Sequence, residues 1–168
     1  DIEDGGQLWQ FPVAGDAPIG KIWSTSTATD EIVYFGSMDH KVYALDIVTG
    51  EKMWEFETGG VVYSPPLVEA GRVYVGSFDR YFYALDGQTG EQLWKFRADN
   101  WFWGQAASEG TNLYVPSLDG SLYVLDSETG LRLWSVDTEG PILSSPVVVD
   151  DGLVAVASDS GRLFLVNV

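Results

Sequence analysis

Residues 73–94 read V-Y-V-G-S-F-D-R-Y-F-Y-A-L-D-G-Q-T-G-E-Q-L-W, and this pattern returns at a fixed interval along the chain. Residues 33–54 read V-Y-F-G-S-M-D-H-K-V-Y-A-L-D-I-V-T-G-E-K-M-W, and residues 113–134 read L-Y-V-P-S-L-D-G-S-L-Y-V-L-D-S-E-T-G-L-R-L-W. A shorter copy occupies residues 154–168. The three long copies are offset by 40 residues each, which is typical of a repeat architecture.

Three residue types mark each long copy: an aspartate, a glycine four positions later, and a tryptophan four positions after that. Aspartate accepts hydrogen bonds from amides two or three residues on, and glycine adopts the positive φ that closes a hairpin. The tryptophans are expected to cover the edge of the neighbouring unit. The residues given these structural roles are Asp46, Asp86, Asp126, Gly50, Gly90, Gly130, Trp54, Trp94 and Trp134, with Trp9 as an earlier tryptophan.

Each copy contains four short segments rich in Val, Tyr, Leu and Trp, separated by Gly, Asp or Thr turns. In the second copy these segments are 61–68, 72–76, 81–86 and 91–96. The connections are too short for a helix, so neighbouring segments pair antiparallel. Four strands in about 40 residues form one propeller blade. The sequence therefore predicts an all-β fold, a β-propeller of four-stranded antiparallel blades.

The chain is predicted to form a single domain over residues 1–168 with four blades' worth of strands. The repeats are placed approximately at 7–50, 51–90, 91–130 and 131–168. Residues 6–11 carry Trp9 and predict an outer strand, while the last copy supplies three strands. An unpaired sheet edge is an aggregation hazard, so closure is expected. It can occur within one chain as a smaller ring, in a homodimer with eight blades, or within a larger propeller. The last two are preferred.

Composition excludes several classes of function. Hydrophobic residues make up 45% of the chain and charged residues 20%, which indicates a folded domain. The net charge of −16 disfavours nucleic acid as a partner, since basic contacts dominate that binding. No apolar run is long enough to predict a transmembrane segment. The absence of cysteine excludes structural disulfides and thiolate metal sites, and no metal site is predicted.

The third repeat departs most from the others, with W-F-W-G-Q-A-A-S at 101–108 where the second has V-V-Y-S-P-P-L-V. Trp101 and Trp103 are predicted to point to one side and Phe102 to the other. Trp103 aligns with Trp23 and Tyr63, and two interpretations stay open for this column: packing between blades, or an aromatic rim for a partner side chain, a sugar or a flat ligand. All five aromatic residues are candidates for ligand or partner binding.

Two polar residues in predicted loops, His40 and Arg80, are further binding candidates. His40 is the only histidine, and no serine or second histidine stands at a catalytic spacing from it. No catalytic residue is therefore predicted.

The pattern [VL]-Y-x-[GP]-S-x-D-x-x-[VFL]-Y-[AV]-L-D-x-x-T-G-x-x-[ML]-W resembles the repeat of the pyrroloquinoline-quinone (PQQ) propeller superfamily. That superfamily includes quinoprotein alcohol dehydrogenases and the propeller lipoprotein of the outer-membrane barrel-assembly machine. The resemblance implies a propeller, but its members have unrelated activities. In the enzymes, the cofactor sits with calcium against a disulfide of adjacent cysteines, which this chain lacks. No cofactor, including PQQ with calcium, is therefore expected.

Three functional hypotheses follow from the residues and the resemblance. The preferred one is a non-catalytic binding or scaffold domain that recognises a protein or ligand through its loop face, in an extracytoplasmic compartment rather than the cytoplasm. The second is a fragment of a PQQ-dependent dehydrogenase. The third is a sensor of small ligands or carbohydrates that uses Trp101, Phe102 and Trp103.

Overall fold

A computed structural model describes residues 5–13, 18–150 and 152–168. These residues form fifteen β-strands in four antiparallel sheets, with no helix among them. The described part of the chain therefore contains no helix able to cross a membrane. The prediction of an all-β propeller with antiparallel blades is confirmed.

Each sheet is one blade, and its strands pair in chain order. Blade 1 contains β1 (Thr27–Ala28), β2 (Ile32–Gly36), β3 (Lys41–Asp46) and β4 (Lys52–Glu57). Blade 2 contains β5 (Leu67–Glu69), β6 (Arg72–Gly76), β7 (Tyr81–Asp86) and β8 (Gln92–Arg97). Blade 3 contains β9 (Ala107–Glu109), β10 (Asn112–Pro116), β11 (Ser121–Asp126) and β12 (Arg132–Asp137). Blade 4 contains β13 (Val147–Asp150), β14 (Leu153–Ser158) and β15 (Arg162–Asn167).

The hydrophobic core lies between successive blades. We call the side of a blade that meets the preceding blade its front face, and the opposite side its back face. On blade 2, Val73 and Leu85 on the front face are buried against blade 1, while Tyr74 and Phe82 on the back face are buried against blade 3. Because side chains alternate along a strand, each middle strand supplies both faces. Each internal blade is therefore apolar on both sides.

The hairpin turn between the third and fourth strands locks neighbouring blades together. In blade 2, Asp86 Oδ1 accepts hydrogen bonds from the backbone N–H of Thr89 at 2.8 Å and from its hydroxyl. Gly90 closes this turn with a φ of 74°. The Trp54 ring of blade 1 lies directly on Gly90, where a Cβ atom would approach it to 2.7 Å, and Trp54 Nε1 donates to Gly87 O at 2.9 Å. The tryptophan therefore fastens its blade to the turn of the next one.

The innermost strands are shorter than predicted. The segment 61–68 was expected to be a strand, but β5 covers only Leu67–Glu69. Pro65 and Pro66 precede it, but β9 starts at the matching Ala107 after Gln105 and Ala106, so the late start does not depend on proline. The residues before them form an irregular loop.

Residues 6–11 were expected to form an outer strand, but they form no strand within this single chain. The segment belongs to none of the four sheets. Trp9 nevertheless packs as an outer-strand tryptophan does. Its Nε1 donates to Ile47 O at 2.9 Å, and its ring lies on Gly50. The described blade 4 has three strands, and its sheet does not pair with residues 5–13.

Candidate aromatic binding surface

Five aromatic side chains from three blades form one continuous array of rings, which we call the aromatic stripe: Trp23, Tyr63, Phe78, Trp101 and Trp103. Tyr63 is central, with ring centroids 5.3 Å from Trp23, 4.8 Å from Phe78 and 5.0 Å from Trp103. Trp101 stacks on Phe78 at 4.6 Å with an angle of 12° between the planes. The structure therefore brings together four of the five aromatic candidates named from the sequence.

Backbone hydrogen bonds fix the loops that carry the stripe. The loop entering the first strand of each blade lies beside the turn between the second and third strands. Phe78 N donates to Val61 O at 2.9 Å, and Leu118 N donates to Trp101 O at 2.9 Å. Phe78 therefore lies next to the loop of Tyr63, and Trp101 is held to its own blade. These bonds give a rigid base to side chains that are otherwise in loops.

The stripe is open to solvent. Trp23 is 63% exposed, Trp101 45% and Trp103 37%. Adjacent aromatic rings at a surface concentrate binding energy, because they are large, rigid and poorly hydrated. Their faces also carry the negative potential that attracts cations. The stripe is therefore suited to stacking a planar or apolar group and to holding a positive charge over a ring.

Phe102 does not belong to this surface. Its side chain is fully buried and its ring lies 5.6 Å from that of Phe82. A Cβ atom at Gly76 would collide with it. Phe102 therefore fills the core between blades 2 and 3, because alternation along the loop turns it inward while Trp101 and Trp103 turn outward. No ligand can reach it without opening that core.

Phe78 was missed from the sequence. It lies in a turn among polar residues, S-F-D-R. The sequence does contain a signal for this residue, because Met38 and Leu118 occupy the same repeat position in blades 1 and 3. An apolar residue repeated in a polar turn indicates a packing partner, which here is the stripe.

His40 and Arg80 occupy matching backbone positions, with φ values of 72° and 74°. Blades 3 and 4 place Gly120 and Gly161 there, also with positive φ. Both side chains are exposed, and no ring contact or ion pair joins either of them to the stripe within the described residues. The feature that the structure shows these two residues to share is the positive φ of their turns.

The aspartates near these turns have structural partners. Asp79 Oδ2 accepts hydrogen bonds from the Tyr83 hydroxyl at 2.6 Å and from Gly59 N at 2.7 Å. Burial, followed by the bond to Asp79, raises the pKa of Tyr83. Asp39 and Asp119 make the same pairs with their own tyrosines. These carboxylates therefore hold turns and inter-strand contacts together.

A calcium-bound PQQ cofactor would require a set of metal ligands. Calcium takes six to eight oxygen ligands in proteins. The described residues contain no group of three or more His, Cys, Asp or Glu side chains arranged to hold a metal.

The repeated blades, the tryptophan contacts and the loop surface define a β-propeller of the PQQ-repeat class. The family model described as outer membrane protein assembly factor BamB matches residues 1–100 and 99–167. The chain belongs to this family.

Three solved structures illustrate the likeness. BamB from Moraxella catarrhalis aligns with a TM-score of 0.79 and 23% identity, over 95% of this chain and 49% of its own. The computationally designed Ika4 protein aligns with a TM-score of 0.84 and 18% identity, over 98% of this chain and 99% of its own. The designed Ika8 protein aligns with a TM-score of 0.78 and 19% identity, over 88% and 46%.

The chain spans about half the length of the BamB chain that it matches. One curated protein with a detectable match, the beta-alanine-activating enzyme of Danio rerio, is 42% identical over 48 residues. This match covers 29% of the present chain and 4% of the fish protein. It is limited to a short piece of a much longer chain.

Proposed function

We propose that this chain is a non-catalytic binding domain whose aromatic stripe recognises an extended protein segment. The observation that carries the proposal is the stripe itself, five contacting rings with three exposed tryptophans on backbone-anchored loops. An apolar surface of this kind on a stable scaffold is a typical interaction site.

The net charge of the chain favours some partner segments over others. A net charge of −16 attracts basic partners and repels acidic ones. The faces of Trp23, Trp101 and Trp103 offer cation–π contacts to Lys or Arg side chains, and stacking contacts to Tyr or Phe. The preferred partner is therefore a segment that carries aromatic and basic residues together.

The family supports the same reading. Its description names an outer membrane protein assembly factor, which favours a protein as the partner and an extracytoplasmic compartment as the location. Because the chain matches about half of the BamB chain, two copies would supply a ring of that size. We accordingly propose that the domain works as a homodimer.

A peptide titration tests the recognition proposal. The probe is a short synthetic peptide of alternating Tyr and Lys residues, and its control is the same peptide with Glu in place of Lys. Binding is measured by calorimetry for the unmodified chain and for Trp101→Ala and Trp103→Ala. Leu131→Ala is the matched control variant, since Leu131 is 67% exposed but lies on a hairpin turn outside the stripe.

We expect the Tyr–Lys peptide to bind and the Glu peptide to bind more weakly. Each tryptophan variant should weaken binding by about fivefold to thirtyfold, which corresponds to about 1–2 kcal/mol. Leu131→Ala should leave the affinity unchanged. Equal affinities for all four proteins would refute the role of the stripe. Binding of cellohexaose but neither peptide would favour the carbohydrate sensor instead.

A further inference from the structure

The back face of blade 4 is apolar, and no blade among the described residues covers it. Leu163 and Leu165 on β15 are 76% and 62% exposed. Their counterparts on blade 3, Leu122 and Val124, are fully buried by blade 4. Val147 on β13 is also exposed on blade 4. The back face is therefore exposed on blade 4, whereas on each earlier blade the next blade covers it.

Residues 5–13 resemble the outer strand that a blade preceding blade 1 would supply. Its residues 8–11 read L-W-Q-F, where β4 has M-W-E-F and β8 has L-W-K-F. The contacts match as well. Phe11 lies 5.7 Å from the Tyr43 ring, as Phe56 lies 5.4 Å from the Tyr83 ring. The segment therefore contacts blade 1 as the outer strand of a preceding blade would, although it belongs to none of the four sheets.

The sizes of the residues on the two open faces are complementary. The back faces of blades 1–3 carry a tyrosine on the second strand, but blade 4 carries Ala155 there. The front faces of blades 2–4 carry a valine on the same strand, but blade 1 carries Phe35. A pairing of blade 4 with blade 1 would thus replace a Tyr–Val contact by an Ala–Phe contact. The contact would then still join one aromatic ring and one small side chain, with the two sizes exchanged between the faces.

The front face of blade 1 also has space for a neighbour. A cavity of about 230 Å³ lies beside it, lined by residues that include Trp9, Phe11, Ile22, Val33 and Phe35. In the internal interfaces the equivalents of Val33 are fully buried. Residues 5–13 therefore cover only part of this face.

We propose that a second copy of this chain occupies both open faces. The back face of blade 4 of each copy packs on the front face of blade 1 of the other, and residues 6–11 of that other copy pair with β15 as the fourth strand. Two such contacts close a ring of eight blades. This inference deepens the proposed homodimer by naming its surfaces and its exchanged segment.

The internal blades give the register of the exchanged strand. Trp54 pairs with Ala44, Trp94 with Ala84 and Trp134 with Val124. The same register places Trp9 opposite Leu165 of the second copy and Gln10 opposite Phe164. Both copies then direct an aromatic stripe to the same end of the ring, so that the two stripes surround one opening.

The test uses paired cysteines, which can be introduced cleanly because the chain has no cysteine of its own. The double variant Gln10→Cys/Phe164→Cys is oxidised and run on a non-reducing denaturing gel. The proposal predicts a disulfide-linked dimer. A monomer with an internal disulfide would show that the chain closes on itself. The absence of any disulfide would show that the surfaces do not meet. Either result overturns the proposal.

Two controls keep the test interpretable. The register gives a second pair, Gln7→Cys with Val166→Cys, in case the loss of Phe164 perturbs blade 4, and circular dichroism checks the fold of each variant. Val48→Cys with Phe164→Cys should give no disulfide between positions 48 and 164, because Val48 lies on a hairpin turn of blade 1 that the register does not place opposite Phe164. The peptide titration above does not depend on linkage, so recognition by the stripe and closure of the ring can fail separately.

Discussion

Truncation of Trp54 should remove one of the main contacts that hold neighbouring blades together. Its side chain is buried between blade 1 and blade 2 and its ring lies on Gly90. Loss of a buried tryptophan side chain costs about 3–5 kcal/mol through lost burial and the cavity that remains. The indole hydrogen bond to Gly87 O adds about 1 kcal/mol or less, because the Tyr34 hydroxyl also donates to that carbonyl.

Trp54→Ala is therefore expected to lower the free energy of unfolding by about 4 kcal/mol. For a domain of this size, each kcal/mol shifts Tm by about 2–4 °C, so a fall of about 8–16 °C is expected. Urea denaturation and thermal melting at a fixed protein concentration measure both values, since association makes stability depend on concentration.

Two companion variants identify the cause. Trp54→Phe keeps a ring on Gly90 and should lose about 1–2 kcal/mol. Trp23→Ala removes an equally large but exposed ring and should lose less than about 1 kcal/mol. If Trp54→Ala loses no more stability than Trp23→Ala, the tryptophans do not fasten the blades and the explanation of the repeat is wrong.

The remaining predictions concern the turns and one buried tyrosine. Arg80→Gly should raise the free energy of unfolding by up to about 1 kcal/mol, and Gly120→Ala should lower it by about 1 kcal/mol. Both positions have a positive φ, which favours glycine. Thermal melting of the two variants checks the signs. Hydrogen bonds from Thr89 lower the pKa of Asp86 below its ordinary value of 3.8, so its contribution to stability should be complete above that value and be lost as the pH falls through the lowered pKa. Asp86→Asn should flatten this acid limb of the stability curve. Burial, reinforced by Asp119, raises the pKa of Tyr123 from 10.0 to about 12. Its contribution should therefore be complete below pH 10 and be lost as the pH rises through 12, which Tyr123→Phe should attenuate in alkaline denaturation curves.

The repeat pattern predicted most of the fold because the same residues solve the same packing problem in each blade. The D-x-x-T-G turn and the tryptophan that covers it are local and recurrent, so their geometry could be inferred from spacing alone. The extent of the inner strands could not, since it depends on how far the loops of Pro65 and Trp101 depart from the sheet.

The binding surface was harder to predict because it joins residues from different blades. Trp23, Tyr63 and Trp103 form a column at the repeat interval, which makes their proximity visible in the sequence. Phe78 comes from a different turn, and only the fold places it between Tyr63 and Trp101. Phe102 shows the opposite error, since an aromatic neighbour in sequence is buried on the other side of the loop.

The most direct test of recognition by the stripe is the shift of tryptophan indole N–H signals in a ¹H–¹⁵N NMR spectrum during titration with the Tyr–Lys peptide. The chain has seven tryptophans, each of which can be assigned by a single Trp→Phe substitution. Shifts concentrated on Trp23, Trp101 and Trp103, with Trp54, Trp94 and Trp134 unchanged, are predicted. Shifts confined to those three inter-blade tryptophans, or no shifts at saturating peptide, would contradict the account.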